Sequence, residues 1–163
     1  MDLRKAARDP WVWGQAALLL LVAAVAPSVP RHVSMGGADL ALDRIGPLRL
    51  RVLGALLALA GVVLAVWGLR SLGPSLTPGT EPLPDAPLVT RGAYEHVRHP
   101  IYAGMVLILA GYTLAWSNWA LALAVGLAAG LFFDAKARAE ERWLVARYPE
   151  YERYRARVSR RVV

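Results

Sequence analysis

The stretch Ile101–Phe133, IYAGMVLILAGYTLAWSNWALALAVGLAAGLFF, runs for 33 residues without Asp, Glu, Lys, Arg or His. As one helix it would reach about 50 Å at 1.5 Å per residue, well beyond the roughly 30 Å hydrocarbon core of a bilayer. Ser117 and Asn118 interrupt it near the middle between Trp116 and Trp119, as expected of a hairpin tip with aromatic residues at headgroup level. It therefore reads as two helices of about sixteen residues each, short enough to call for a thinned bilayer or a covering of protein.

Two further apolar runs precede it. Trp11–Val29 follows a basic head with Arg4, Lys5 and Arg8, and Leu50–Leu69 is flanked by Arg49, Arg51 and Arg70. Both are near the roughly 20 residues that cross a bilayer as a helix. Pro27 directly after Ala26 is a poor residue to follow a cleavage site, so the first run reads as a retained helix rather than a signal peptide. Between Ser71 and Pro87, five prolines and two glycines in 17 residues exclude a regular helix or central strand.

These runs predict an all-α integral membrane protein of about four transmembrane helices. A cytoplasmic amphipathic helical tail follows, in which Leu144, Tyr148, Tyr151, Tyr154 and Val158 recur at three- and four-residue spacing on an interfacial helix broken by Pro149. If the N-terminus is cytoplasmic, the inside segments hold 15 Lys or Arg and the outside interval, Pro30–Gly46 with its flanks, holds 4 (Arg31, Arg44, Arg49 and Arg51). The positive-inside rule favours that orientation, with both termini cytoplasmic.

Composition excludes several classes. The chain is 56% apolar yet carries 19 Lys and Arg and a net charge of +7. The basic residues gather at the ends of apolar runs and in the tail, which points to anionic headgroups and not to nucleic acid. With no cysteine there is no disulfide, thiolate nucleophile or Cys-ligated metal. The middles of the apolar runs contain no ionisable residue, which argues against a transporter or proton pump.

Polar chemistry instead collects at one predicted boundary, in Arg91–Gly104 (RGAYEHVRHPIYAG) and in the first turns of the tail. Pro100 suits the first turn of a helix. His99 would then stand at a helix mouth whose dipole and free N–H groups favour an anion. Gly92 permits a left-handed backbone two residues before Tyr94. Each residue also has a plain reading: Arg98 and His99 as contacts to lipid phosphates, Tyr94 and Tyr102 as interface aromatics, Gly92 as a turn. The pair Glu140–Glu141 is harder to assign to solvation, since Lys136 provides an i to i+4 partner for Glu140 alone.

The segments LVTRGAYEHVRHPIYAG (88–104) and RAEERWL (138–144) with YPEYERYRARV (148–158) resemble the isoprenylcysteine carboxyl methyltransferase family and related membrane phospholipid methyltransferases. The likeness covers roughly Ser71–Val158, so the chain divides into an N-terminal helix pair, residues 1–70, and a methyltransferase core, residues 71–163. The resemblance implies S-adenosylmethionine bound at the cytoplasmic face. Gly92, Tyr94, Val97, Arg98, His99, Pro100 and Tyr102 would form one wall of its site and Glu140 and Glu141 the other, with Arg138 orienting the acceptor. It also implies a lipophilic or prenylated acceptor arriving from the bilayer, most simply a prenylcysteine carboxylate. A phospholipid amine acceptor, an NADPH-dependent membrane reductase and a non-catalytic scaffold are the alternatives. The chain departs from the family pattern at Ala93, where proline is common, and at Pro149, where glycine is.

Overall fold

The computed structural model describes residues 8–29, 46–77, 79–116 and 119–162. The head around Arg4 and Lys5, the interval with Arg31 and Arg44, and the hairpin tip at Ser117 and Asn118 lie outside the described residues. Among those described, the protein is all helical: α1 (Pro10–Val25), α2 (Pro47–Leu72), α3 (Pro100–Trp116), α4 (Trp119–Arg147) and α5 (Tyr151–Arg157), with 3₁₀ turns at Ala26–Ser28, Gly73–Ser75 and Gly92–Glu95. Pro10, Pro47 and Pro100 each open a helix, at a position where a missing N–H leaves no hydrogen bond unmade. Asp9 caps α1 by accepting from the Trp11 N–H at 2.9 Å. Its other oxygen accepts from the Thr80 N–H at 2.7 Å and the Thr80 hydroxyl at 3.1 Å, pinning the proline-rich loop to the start of α1.

By length and composition three described helices can cross a membrane: Pro10–Ser28, Pro47–Ser75 and Trp119–Arg147. The helix α3 is apolar but has 17 residues, about 25 Å at the helical rise and thus short of the hydrocarbon core. It is instead covered by protein along one side, burying Ala103, Gly104, Val106, Leu109, Gly111 and Thr113. The second arm of the hairpin does not stop near Phe133: α4 continues through the charged segment to Arg147 as one helix of 29 residues.

Glycine explains how α3 is covered. Gly54, Gly61 and Gly68 recur every seven residues on α2, and all three are buried. Antiparallel to them, Gly111 and Gly104 on α3 meet the same seam. A Cβ on Gly61 would lie 2.6 Å from the Gly104 carbonyl, and one on Gly104 2.6 Å from the Gly61 carbonyl. In lipid, where apolar surface gains nothing by leaving the solvent, such close backbone approach is a main source of helix association. On the other side of α3, Val22 of α1, Val106 and Leu109 of α3, and Ala129, Phe133 and Ala137 of α4 form the main core.

The tail is helical, as its pattern predicts, and its apolar positions are occupied by protein. Tyr151, Tyr154 and Val158 are buried with Tyr94, and Leu72, Leu88 and Val89 pack on them. The Tyr154 hydroxyl donates to the Tyr94 carbonyl at 2.7 Å, and that of Tyr148 donates to the Ala86 carbonyl. The tail therefore clamps the loop that leads into α3.

Candidate active site

The opening motif and the glutamate pair meet at one end of the bundle, around His99. This buried ring lies face to face with Tyr102, centroids 5.3 Å apart and planes at 1°. Its Nδ1 is 3.5 Å from Glu140 Oε2 and its Nε2 is 3.3 Å from Glu141 Oε1. Two carboxylates on two ring nitrogens suit an imidazolium, since both nitrogens donate only in the charged form. Burial is the largest single influence and opposes that charge. The hydrogen bonds to Glu140 and Glu141, with their charges, outweigh it and hold the pKa of His99 above the ordinary histidine value.

The two glutamates have different surroundings. Glu141 Oε1 accepts from Arg98 Nε at 2.8 Å, the two side chains only 7% and 5% exposed. Its Oε2 accepts from Arg161 Nε at 3.1 Å. Arg98 also donates through Nη1 to the carbonyls of Val158 and Ser159 at 2.6 and 3.0 Å. Glu141 and Arg98 thus satisfy each other and tie the last residues of the chain to the bundle. Glu140, one position earlier on α4, accepts from the Tyr102 hydroxyl at 2.8 Å and faces open space.

That space has three compartments. An outer cavity of ≈ 520 Å³ lies between the start of α1, the proline-rich loop and Ala139, Arg142 and Trp143 of α4. An inner cavity of ≈ 210 Å³ lies among Val12, Leu69, Leu76, Ile101, Lys136 and Glu140. A waist of ≈ 70 Å³ adjoins both: it shares Thr77 and Pro82 with the outer cavity and Tyr94, His99 and Glu140 with the inner one. The outer volume falls in the range of ordinary small-molecule sites and the inner one below it. The buried Tyr151 hydroxyl, on a residue lining the waist, makes no hydrogen bond of standard geometry among the described residues and lies within the influence of Glu141. Burial first, and then the Glu141 charge, push its pKa up and keep it a donor.

The structure sorts the sequence candidates. Tyr94, Arg98, His99, Tyr102 and Glu140 line the cavities. Gly92 supports them: its φ is 65°, a side chain there would strike Ser71, and its neighbour Ala93 donates to Ser71 Oγ at 3.2 Å. Pro100 is fully buried at the start of α3, and Val97 packs on the main core. Arg138 is not brought in: its side chain is 68% exposed and paired with Asp134 at 2.6 Å on its own helix. Nor is the mouth of α3 left for an external anion at Arg98 and His99, whose N–H groups donate to the carbonyls of Arg160 and Arg161 at 3.0 and 2.9 Å.

Sequence reasoning missed Lys136 and Gln15 as cavity residues, Tyr151 as a buried donor and Arg161 as the second partner of Glu141. Gln15 carried a usable signal, a lone amide inside an apolar run. Arg161 carried none, lying beyond the segment that bears the resemblance.

A helical membrane protein with a divided cleft at one end of its bundle, walled by a His-Pro helix start and a glutamate from the neighbouring helix, is the class these features define. The chain belongs to the phospholipid methyltransferase family, which it matches over residues 50–151, most of α2 included. It is 36% identical over 72 residues to protein-S-isoprenylcysteine O-methyltransferase of Schizosaccharomyces pombe, a match covering 44% of this chain and 30% of that protein. It is 34% identical over 70 residues to the cobalt-zinc-cadmium resistance protein CzcN of Cupriavidus metallidurans, covering 43% and 32% respectively. The matches thus span about a third of these relatives' length.

Proposed function

We propose that this protein transfers a methyl group from S-adenosylmethionine to a lipophilic acceptor at the cytoplasmic face of a membrane. The observation that carries the reading is a row of adjoining cavities of unequal size: a small-molecule-sized one on the loop side, a smaller one among the helices, and between them a waist that shares Tyr94, His99 and Glu140 with the smaller one. Family membership and the resemblance to the isoprenylcysteine enzyme support it.

The lining suits the cofactor. Glu140, held by Tyr102 and His99, presents negative charge to a sulfonium or ammonium. The Tyr151 hydroxyl supplies a buried donor at the waist, and Arg142 in the outer cavity suits a carboxylate. When bound, S-adenosylmethionine provides an electrophilic methyl group on sulfur. The protein's own part is alignment and exclusion of water. Arg98 and Glu141 fix the start of α3 against α4, so that His99 and Glu140 keep their positions. Leu69, Leu72 and Ile101 give the inner cavity an apolar side that fits the chain of an acceptor entering from lipid.

The S. pombe relative makes a prenylcysteine carboxylate the first acceptor to assay. Purified protein in lipid nanodiscs would be given methyl-labelled cofactor with a prenylcysteine or a membrane lipid extract. Label should pass into the organic phase, and Glu140→Gln should abolish the transfer. Folded protein that binds the cofactor yet labels none of these acceptors would contradict the reading.

A further inference from the structure

Three contacts close a ring behind the cleft. The His99 N–H donates to the Arg161 carbonyl at 2.9 Å. Arg161 Nε donates to Glu141 Oε2 at 3.1 Å, and Glu141 Oε1 lies 3.3 Å from His99 Nε2. The second arm of the Arg161 fork, Nη1, donates to Asp134 Oδ1 at 2.8 Å. Asp134 and Glu141 stand seven residues apart on α4, two turns or about 10 Å of rise. A single residue beyond α5 therefore grips the backbone where α3 begins and two turns of α4 at once.

The ring bears on the cleft through what each member faces. His99 lines the waist and the inner cavity, whereas Arg161 lines none of the three cavities. One oxygen of Glu141 serves both Arg98 and His99, and the other is held by Arg161. The last torsion of a glutamate is broad, so a carboxylate gripped at one oxygen can swing and carry that oxygen off the His99 ring. A guanidinium resists the swing because its donors point in fixed directions. Arg161 is itself anchored by its neighbour Val162, which is buried in the main core.

We propose that Arg161 is a positioning residue of the cleft: by bridging Asp134 and Glu141 while its carbonyl holds the His99 N–H, it locks the Glu141 carboxylate in the orientation that sets the His99 ring in the cavity wall. It touches no ligand and acts through Glu141 and His99. The proposal rests on the methyl-transfer reading only for the identity of the ligand.

Nuclear magnetic resonance of the full chain in a non-ionic detergent, with isotope-labelled histidine, reads the ring without cofactor. The His99 signals are those lost in His99→Asn. In the wild type the ring N–H toward Glu141 should exchange slowly with water. In Arg161→Met it should exchange about tenfold faster or more, as expected from losing one hydrogen bond between charged groups. Val162→Ala loosens the same segment but leaves the fork intact: it should lower the unfolding temperature and keep ring exchange within about twofold of the wild type. Should Arg161→Met not fold, Arg161→Gln carries the same test. Wild-type exchange in the folded Arg161 variant, or an equal acceleration in Val162→Ala, would reduce Arg161 to a stabiliser of the fold and overturn the proposal. S-adenosylmethionine, titrated in parallel, should bind Arg161→Met about tenfold more weakly than the wild type, and equal affinity overturns the proposal as well. A wild type that binds no cofactor would overturn the methyl-transfer reading, while ring exchange would still decide the role of Arg161.

Discussion

Gly61 of α2 and Gly104 of α3 meet with no side chain between them, whereas Arg98 and Glu141, at the cleft end of the bundle, meet through a buried ion pair. Both contacts fix the position of α3, by opposite means. The glycine seam works by shape: the backbones touch, and any added atom forces them apart. The cleft end works by satisfaction of charge: each polar atom of Arg98 and Glu141 that bonds is one of several holding His99, the tail and α4 in register. A shape-based seam tolerates no added volume but is indifferent to pH. A charge-based one tolerates some change of volume but not the loss of a partner.

The largest expected effect follows from breaking the charged contact. Glu141→Leu leaves Arg98 buried without its carboxylate, and loss of one partner of such a pair costs about 3–5 kcal/mol. Thermal unfolding in detergent should show a large drop, with the tail released to proteolysis after Arg157. At the glycine seam, Gly61→Leu should cost about 1–3 kcal/mol by overpacking, since the atoms it meets are backbone. Its unfolding temperature should fall without any new dependence on pH.

The cleft end should show pH dependence. Because His99 titrates above its ordinary value when folded, the stability it contributes is fully present below the unfolded pKa of about 6.5 and is lost as pH rises through the folded value. Unfolding temperature should therefore decline as pH rises from about 6.5 through the folded value in the wild type, level off above it, and decline less over that window in His99→Asn. An identical slope in both would remove His99 from the account. The smallest effect belongs to Arg138→Ala: an exposed i to i+4 pair with Asp134 contributes about 0.3–0.5 kcal/mol, and cofactor binding should be unchanged.

The helices were legible because hydrophobic length marks their middles and proline some of their ends: Pro100 opens α3, and α4 stops short of Pro149, whereas the openings at Pro10 and Pro47 came from the structure. The meeting of the opening motif with the glutamate pair was legible only through the resemblance and the shared side of the membrane. Which glutamate faces the cleft was not. Neighbouring residues on a helix point about 100° apart, and the rotation of α4 is set by packing on α3, which no local pattern encodes. The same geometry turns Arg138 outward and Lys136 inward. The seven-residue spacing of Gly54, Gly61 and Gly68 does carry the α2–α3 seam in the sequence, but its partner glycines lie 43 to 57 residues downstream.

Calorimetric titration of S-adenosylmethionine into the detergent-purified full chain tests the central claim most directly, that the cleft beside Glu140 holds this cofactor. Saturable binding should be seen in the wild type and in Arg138→Ala, should be at least tenfold weaker in Glu140→Gln, and should have no counterpart with NADPH. A folded wild type that takes up no S-adenosylmethionine, or a Glu140→Gln variant that binds it as tightly, would contradict the account.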